Sequence, residues 1–306
     1  MIDLVIPVYK PGEEFAQLLA KMRSQTVPIH KIILMNTEES YWNEFLKAHS
    51  EITGYDNVEV HHLKKEEYDH GNTRNQGISY SDAEYILLMT QDAVPKDEFL
   101  VENLKKSFEN PKVAVAYGRQ LPREECREAE KYTRSFNYPD ISRIKSKEDL
   151  ETLGIKAFFC SNVCAMYKKA IFDALGGFTR KTIFNEDMIF AGNALKKDYL
   201  IAYAATAQVI HSHNYGNMEQ FHRNFDLGVS QKEHPEVFEG IKSESEGIRL
   251  VKKTAAYLWK NHHKAQILPM MIQSGFKFIG YRLGKNYTKL SKSFVIKCSM
   301  NKSYWQ

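Results

Sequence analysis

One carboxylate and a pair of histidines could together hold a metal ion. Asp92 follows the apolar run from Tyr85 to Met89, and His211 and His213 end another apolar run much later in the chain. An acid after a strand either caps the next helix or holds a cation where α/β sheets bind ligands. Alternate strand residues face one side, so both imidazoles would point the same way. Aspartate oxygen and histidine nitrogen suit Mg²⁺ or Mn²⁺, which makes these three residues candidate metal ligands.

Two further polar segments add a second carboxylate and an anion partner. Glu186 and Asp187 stand at the start of a predicted helix, where acids are also favoured by the helix dipole alone. Arg74 lies in 69-DHGNTRNQG-77, although an arginine on a helix is commonly just solvated. A carboxylate free of the metal can deprotonate an incoming hydroxyl. If these groups converge on one cleft, they have the chemistry needed to displace a nucleoside diphosphate.

The elements that must position these residues alternate between strands and helices over the first 120 residues. The predicted strands are residues 3–8, 31–35, 57–62, 84–89 and 112–117. The predicted helices are residues 12–25, 41–49, 72–81 and 97–110. Such alternation builds βαβ units, so we predict an α/β fold with a mostly parallel central sheet flanked by helices.

Beyond residue 120 the pattern is less regular. Residues 120–155 are polar and dense in charge, which predicts an exposed insertion. Residues 157–178 then read as a strand leading into a short helix, residues 185–199 as a helix, and residues 200–215 as strands ending on the histidines. Amphipathic spacing in the tail predicts a helical C-terminal appendage.

Composition places the chain among ordinary globular proteins. It has 306 residues, of which 43% are hydrophobic and 26% charged. Its four cysteines form no CxxC pair, the N-terminus lacks the features of a signal peptide, and no window is long and apolar enough to span a membrane. We therefore expect a reduced, cytoplasmic protein.

The net charge of +4 conceals an asymmetry along the chain. Residues 249–306 contain 12 Lys and Arg and no Asp or Glu, interleaved with aromatic residues. Basic amphipathic helices of this kind favour anionic membrane surfaces, although nucleic acid can use the same composition. Packing within the chain or in a homodimer is an equally good explanation. Of these explanations we prefer docking on a membrane surface, and we regard nucleic acid as the poorer partner.

Six segments, in this order, resemble the GT-A glycosyltransferases of family 2. They are 5-VIPVYK-10, 69-DHGNTRNQG-77, 87-LLMTQDA-93, 160-CSNVCAMYKKAIFDALGGF-178, 185-NED-187 and 209-VIHSH-213. Within them, HGNTRNQG and TQDA resemble bacterial rhamnosyltransferases of cell-surface polysaccharide synthesis. The resemblance covers residues 1–230 and implies a GT-A nucleotide-sugar-binding fold there, with residues 231–306 as a basic, helical extension.

The resemblance also implies roles for individual residues. The implied donor-binding positions are Pro7, Tyr9, Asn36, Arg74, Asn75, Gln91 and Asp92. The implied sugar or acceptor pocket positions are Ser161 and Asn162. Asp187 matches the catalytic base, while Glu186 would orient the acceptor or support the loop. His211, in preference to His213, would reach the metal beside Asp92.

The implied reaction is an inverting, divalent-metal-assisted transfer of a sugar to a hydroxyl of a polysaccharide or lipid-linked glycan. L-Rhamnose from dTDP-L-rhamnose is the donor we expect, and UDP- or GDP-sugars are alternatives. Thr90 stands where the family's metal motif has its first acid, and Asn36 where relatives have an acid for the base. A location at the inner face of the cell membrane would follow. The rival functions are a sugar nucleotidyltransferase and a non-catalytic membrane- or nucleic-acid-binding protein.

Overall fold

Nine strands form a single mixed sheet in a computed structural model that describes residues 1–241 and 244–306. The strands are β1 (Ile2–Tyr9), β2 (Lys31–Thr37), β3 (Val58–Leu63), β4 (Tyr85–Met89), β5 (Val94–Pro95), β6 (Val113–Leu121), β7 (Arg143–Lys145), β8 (Cys164–Lys168) and β9 (Leu200–Ile210). All five strands predicted before residue 120 are present, and β5 is an additional short strand.

Helices cover both faces of this sheet and continue to the end of the chain. Over the described ranges they are α1 (Glu13–Arg23), α2 (Glu39–Ala48), α3 (His70–Ser79), α4 (Leu100–Lys106), α5 (Glu128–Asn137), α6 (Leu150–Leu153), α7 (Lys169–Ala174), α8 (Glu186–Lys196), α9 (Asn217–Glu233), α10 (Pro235–Phe238), α11 (Glu244–Lys260), α12 (Ile267–Lys285) and α13 (Lys292–Cys298).

The sheet is parallel in its first half and mixed in its second. The strand order is β3-β2-β1-β4-β8-β6-β9-β5, with β7 beside β9. β3, β2, β1 and β4 pair in parallel, as predicted, and β6 pairs in parallel with β9. β8 runs antiparallel to both β4 and β6, which differs from the mostly parallel sheet that we predicted. The α/β class is confirmed.

Strand alternation divides the core into two layers. Leu4 and Ile6 of β1 pack in one buried apolar cluster, and Val5 between them packs in the other. Because successive strand residues point to opposite faces, a run that is apolar throughout must be covered on both. Because β1 pairs in parallel with both β2 and β4, the carboxyl ends of these three strands open on one edge of the sheet. Ligands bind at this edge in α/β folds.

The polar segment 120–155 is mostly exposed or half-buried, as predicted, but several polar residues in it are buried. Gln120, Tyr138 and Lys145 are all buried, with at most 5% of their surface exposed. The tyrosine hydroxyl accepts a 2.5 Å hydrogen bond from Nε2 of Gln120. Buried polar groups of this kind are tolerated because they bond to one another, a property that composition alone does not reveal.

The tail is helical, as predicted, and is built from α11, α12 and α13. α12 lies along α9, where Gly280 and Gly284 bring the two backbones close together. The division that we predicted after residue 230 falls inside α9, so we propose that the extension begins after this helix. No helix in the described ranges is long and apolar enough to cross a membrane.

Candidate active site

The three candidate metal ligands meet at the ends of β4 and β9. Oδ2 of Asp92 lies 3.4 Å from Nε2 of His211 and 3.2 Å from Nε2 of His213. The two imidazole nitrogens are 3.1 Å apart, and each of the three residues offers one ligand atom that lies within 4.8 Å of the other two. One carboxylate oxygen and two imidazole nitrogens therefore point at a common centre.

Burial and hydrogen bonding set the charge of this cluster. Burial opposes ionisation of Asp92, but hydrogen bonds from His211 and His213 hold its pKa well below the ordinary value. Burial lowers the pKa of His211, although the Asp92 carboxylate acts in the opposite direction. An ionised carboxylate beside a neutral imidazole is the state in which both groups donate lone pairs to a metal.

Gln120 fixes the orientation of His211 and was missed by sequence reasoning. Its Oε1 lies 3.0 Å from Nδ1 of His211 and also accepts a hydrogen bond from Arg134. Its Nε2 donates to the Ser161 hydroxyl at 3.0 Å. Its position at the carboxyl end of β6 was the signal that could have identified Gln120 as a site residue. Its partner Arg134 lies in the segment 120–155, which we predict to be an exposed insertion.

Asp187 lies at the first turn of α8 and accepts two backbone hydrogen bonds. The N–H of Asn162 donates to its Oδ2 at 3.0 Å, and the N–H of Met188 donates to its Oδ1 at 2.7 Å. Burial and the neighbouring Glu186 carboxylate raise the pKa of Asp187 to about 7. A carboxylate with a raised pKa is a stronger base than a solvated one, which suits proton abstraction near neutral pH.

Glu186 is held in a buried ion pair. Its Oε1 lies 3.3 Å from Nη1 of Arg74 and accepts a 3.1 Å hydrogen bond from the Asn162 side chain. Both partners of the ion pair have at most 7% of their side chains exposed. Burial opposes ionisation, but Arg74, His70 and the hydrogen bond from Asn162 together outweigh it and lower the pKa of Glu186. The geometry favours support of the loop over direct contact with an acceptor for Glu186.

Ser161 and Asn162 connect the metal ligands to the base. The Ser161 hydroxyl contacts Gln120, which contacts His211, and the next residue in the chain bonds Asp187 through its backbone. Asn162 also accepts a 2.7 Å hydrogen bond from the Tyr167 hydroxyl. Ser161 and Asn162 therefore hold Asp187 and His211 in position relative to each other, in addition to any contact with a sugar.

The end of β1 forms the edge of a cleft beside β4. The Gln91 side chain binds both backbone groups of Tyr9, accepting from its N–H at 2.8 Å and donating to its carbonyl at 2.9 Å. The Tyr9 ring meets Tyr41 edge to face at 5.5 Å, and the Lys10 amine lies 4.9 Å from the centre of the Tyr41 ring. Pro7, half-buried, precedes them in β1. Sequence reasoning missed Lys10 and Tyr41.

Three residues with implied donor contacts bond to other parts of the protein. The Asn75 amide donates to the Phe178 carbonyl at 2.8 Å and accepts from its N–H at 2.9 Å, so both its polar atoms are occupied. Asn36 is fully buried, with its amide 3.0 Å from Nδ1 of His62. Arg74 faces Glu186. A motif gives the position of a residue along the chain but not the direction of its side chain, and we propose that all three support the site.

A cavity of about 1210 Å³ lies between the candidate site residues and the C-terminal helices. His213, Asn185 and Met188 line it on the side of the metal ligands and the base. The opposite wall, from α11 and α12, is mainly apolar and includes Lys277. Its size, and its place beside Asp187, make it a candidate acceptor site.

The chain belongs to glycosyl transferase family 2, whose model matches residues 3–176. It is therefore a glycosyltransferase, a class whose members take the sugar from a nucleotide-linked donor. This assignment excludes the non-catalytic rival function.

Two curated relatives match over almost the whole chain. One is the O-antigen chain rhamnosyltransferase RfbN of Salmonella typhimurium, 36% identical over 99% of this chain and 96% of the relative. The other is the O-antigen chain rhamnosyltransferase WbaN of Salmonella anatum, 35% identical over 99% of this chain and 95% of the relative.

Solved structures share the fold at low sequence identity. The mannosyltransferase PcManGT of Pyrobaculum calidifontis, solved with GDP-Man and Mn²⁺, superposes with a TM-score of 0.58 at 12% identity, covering 98% of this chain and 86% of that one. S. aureus TarS 1-349 with UDP-GlcNAc gives a TM-score of 0.53 at 11% identity, covering 94% of this chain and 91% of that one.

Proposed function

We propose that this chain transfers L-rhamnose from dTDP-L-rhamnose to a hydroxyl of a polysaccharide or lipid-linked glycan, inverting the anomeric configuration. The observation that carries the reaction type is the arrangement of Asp187 and of the Asp92–histidine cluster, joined through Ser161 and Asn162. The similarity to two O-antigen rhamnosyltransferases over 99% of the chain supports rhamnose as the sugar.

Asp187 is the proposed catalytic base. Its carboxylate accepts the proton of the acceptor hydroxyl while that oxygen forms a bond to the anomeric carbon. The bond from this carbon to the donor's phosphate oxygen breaks, and the nucleoside diphosphate leaves with the electron pair. Attack and departure occur on opposite faces, so one displacement inverts the configuration. Met188 and Asn162 hold the carboxylate through their backbone N–H groups.

Asp92, His211 and His213 fit a divalent ion such as Mg²⁺ or Mn²⁺ and would hold it. The fit rests on the chemistry of the donor set, one carboxylate oxygen and two imidazole nitrogens within 4.8 Å of one another. When bound, the ion would supply positive charge against the diphosphate. Both histidines lie equally near Asp92, so we propose that both are ligands rather than His211 alone.

The donor lies, in this proposal, at the carboxyl ends of β1 and β4. Pro7 and Tyr9 would flank the nucleobase, Gln91 would hold Tyr9 in place, and Lys10 would add a cation at the rim. Asn36, Arg74 and Asn75 would support this site from behind rather than touch the nucleotide. The acceptor would enter through the cavity that ends at His213 and Met188.

The proposed acceptor determines where the enzyme works. A lipid-linked acceptor would place the chain at the inner face of the cell membrane, bound peripherally. A homodimer formed through the C-terminal helices would be the alternative use of that region.

The test is release of nucleoside diphosphate and transfer to acceptor from a panel of dTDP-, UDP- and GDP-sugars. Each would be assayed with Mn²⁺ or Mg²⁺ and then with EDTA, with a membrane extract as the source of acceptor. We expect transfer confined to dTDP-L-rhamnose and lost with EDTA. Transfer from a UDP- or GDP-sugar instead would refute the rhamnosyl assignment and leave the reaction type standing.

Asp187→Asn tests the base directly. Removal of a general base costs about 10²- to 10⁴-fold in rate, so kcat should fall by this factor while donor affinity is retained. Asp173→Asn is the matched control, since that side chain is 53% exposed on α7 and pairs only with Lys169 among the described contacts. Normal kcat in Asp187→Asn would overturn the assignment.

A further inference from the structure

α12 carries a continuous apolar stripe on its exposed side. Five large side chains on one face of this helix are each 46–67% exposed, and the first is followed by a pair three and four residues later and by a second pair seven residues after that. The stripe consists of Leu268, Met271, Ile272, Phe278 and Ile279. Single exposed apolar residues are ordinary, but an aligned set on one helix face marks an interaction surface.

The stripe lies on the side of α12 that faces away from α9. On the opposite side of α12, Gly280 and Gly284 are buried against the backbone of α9. At Gly275, which lies within the stripe, no other element of the described structure comes within 4 Å of the position where a Cβ would stand. The stripe is therefore not an extension of the core.

Charge and aromatic composition identify the partner. Residues 249–306 hold 12 cations and no acid. At the N-terminal end of the stripe, Trp259 is 62% exposed and the Lys264 amine lies 4.1 Å from its ring. Arg282 and Lys285 lie in the last turn of the helix. Large apolar side chains bordered by cations and a tryptophan match a bilayer surface with anionic headgroups.

We infer that the α12 stripe docks the enzyme on anionic lipid, with its five apolar side chains entering the boundary between headgroups and acyl chains. Phe278 belongs to the stripe and also lines the cavity beside the catalytic residues, so docking would bring the rim of that cavity to the lipid surface. The purpose of this arrangement rests on the proposed function, because a lipid-linked acceptor would enter from the bilayer. Docking itself can be measured without turnover.

The experiment is co-sedimentation of the full chain with vesicles of phosphatidylcholine, with and without phosphatidylglycerol. We expect binding to the mixed vesicles, at least tenfold weaker binding to pure phosphatidylcholine, and at least tenfold weaker binding of Ile272→Gln/Ile279→Gln to the mixed vesicles. These substitutions are neutral and exposed, so they remove apolar surface without adding repulsion or disturbing the core. Rhamnosyl transfer to a detergent-dispersed acceptor should be unchanged.

Ile141→Gln/Ile144→Gln is the matched control, since both side chains are at least 50% exposed in the catalytic domain. It should bind vesicles like the unaltered chain. Equal binding by the α12 variant and the control would overturn the inference. The inference would also be overturned if the chain bound no vesicles and instead formed a dimer, seen by sedimentation equilibrium, that the α12 variant dissociates. Failure of dTDP-rhamnose turnover with intact vesicle binding would refute only the proposed function.

Discussion

The backbone N–H of Asn162 donates to Oδ2 of Asp187 over 3.0 Å, and this bond joins two parts of the site. The preceding residue, Ser161, contacts Gln120, whose other end contacts His211. The proposed base, Asp187, lies 95 residues after Asp92 but only 24 residues before His211. Ser161 and Asn162, two adjacent residues just before β8, therefore connect groups that come from three parts of the chain.

The pH dependence of transfer should follow the ionisation of Asp187. Its pKa is raised to about 7 by burial and by Glu186, and only the deprotonated form can accept a proton. kcat/KM should therefore be maximal above pH 7 and fall about tenfold per pH unit well below it, as one proton binds. The measurement is a pH profile of kcat/KM between about pH 5 and 9 at constant ionic strength. A profile flat down to pH 5 would contradict it.

Glu186→Gln tests in a second way whether the pKa of Asp187 controls the pH dependence of transfer. Removing the neighbouring negative charge should lower the pKa of Asp187, so the acid limb should move to lower pH. A merely structural defect would lower kcat/KM at every pH without moving the limb.

Arg74→Met should destabilise the enzyme strongly, because it leaves the Glu186 carboxylate buried without its partner. Breaking a buried ion pair on one side costs about 3–5 kcal/mol. The free energy of unfolding, measured by urea titration, should fall by this amount. Lys106→Met is the matched control, since its partner Glu102 and the lysine itself are exposed, and exposed pairs contribute at most about 1 kcal/mol. Similar losses in both variants would refute a special role for Arg74.

Gln120→Ala should weaken metal binding although Gln120 is not itself a proposed ligand. It contacts Nδ1 of His211, and outer-shell partners of metal-bound histidines are worth about 10- to 100-fold in affinity. Mn²⁺ binding in the presence of dTDP, followed by electron paramagnetic resonance, would measure the change. Gln76→Ala, at an exposed position on α3, should leave Mn²⁺ affinity unaltered. Unchanged affinity in Gln120→Ala would show that His211 needs no such support.

Strand ends were the part of this site that sequence could predict. Asp92 follows β4 and the histidines follow β9, and the topology of an α/β sheet brings such ends together whatever the side chains between them. The convergence of Asp92, His211 and His213 follows from that rule. The antiparallel course of β8 does not, because an apolar run of five residues reads the same in either direction.

Side-chain direction and buried polar pairing were the parts that sequence could not predict. Asn75 was placed correctly on α3, yet its amide binds Phe178, more than 100 residues away. Gln120 and Tyr138 were assigned to an exposed insertion because polar residues usually lie on the surface. Their burial depends on partners that only the folded chain brings near, so no local pattern reports it.

Gly284→Ala should destabilise the contact between α12 and α9. A Cβ at this position would lie 2.1 Å from the Phe225 carbonyl oxygen, which cannot move without displacing α9. Overpacking of this kind costs about 1–3 kcal/mol. The free energy of unfolding from urea titration should fall accordingly, and a wider separation of the helices would also alter the cavity that we assign to the acceptor.

Gly275→Ala is the control on the same helix. It has no atom within 4 Å of its Cβ position, and replacing an exposed helical glycine by alanine stabilises by about 0.5–1 kcal/mol. The two substitutions are chemically identical and nine residues apart, so opposite signs can arise only from the packing on α9. A stabilising effect of Gly284→Ala would mean that α12 lies farther from α9 in solution, and that the wall it forms beside the active site is not fixed by these glycines.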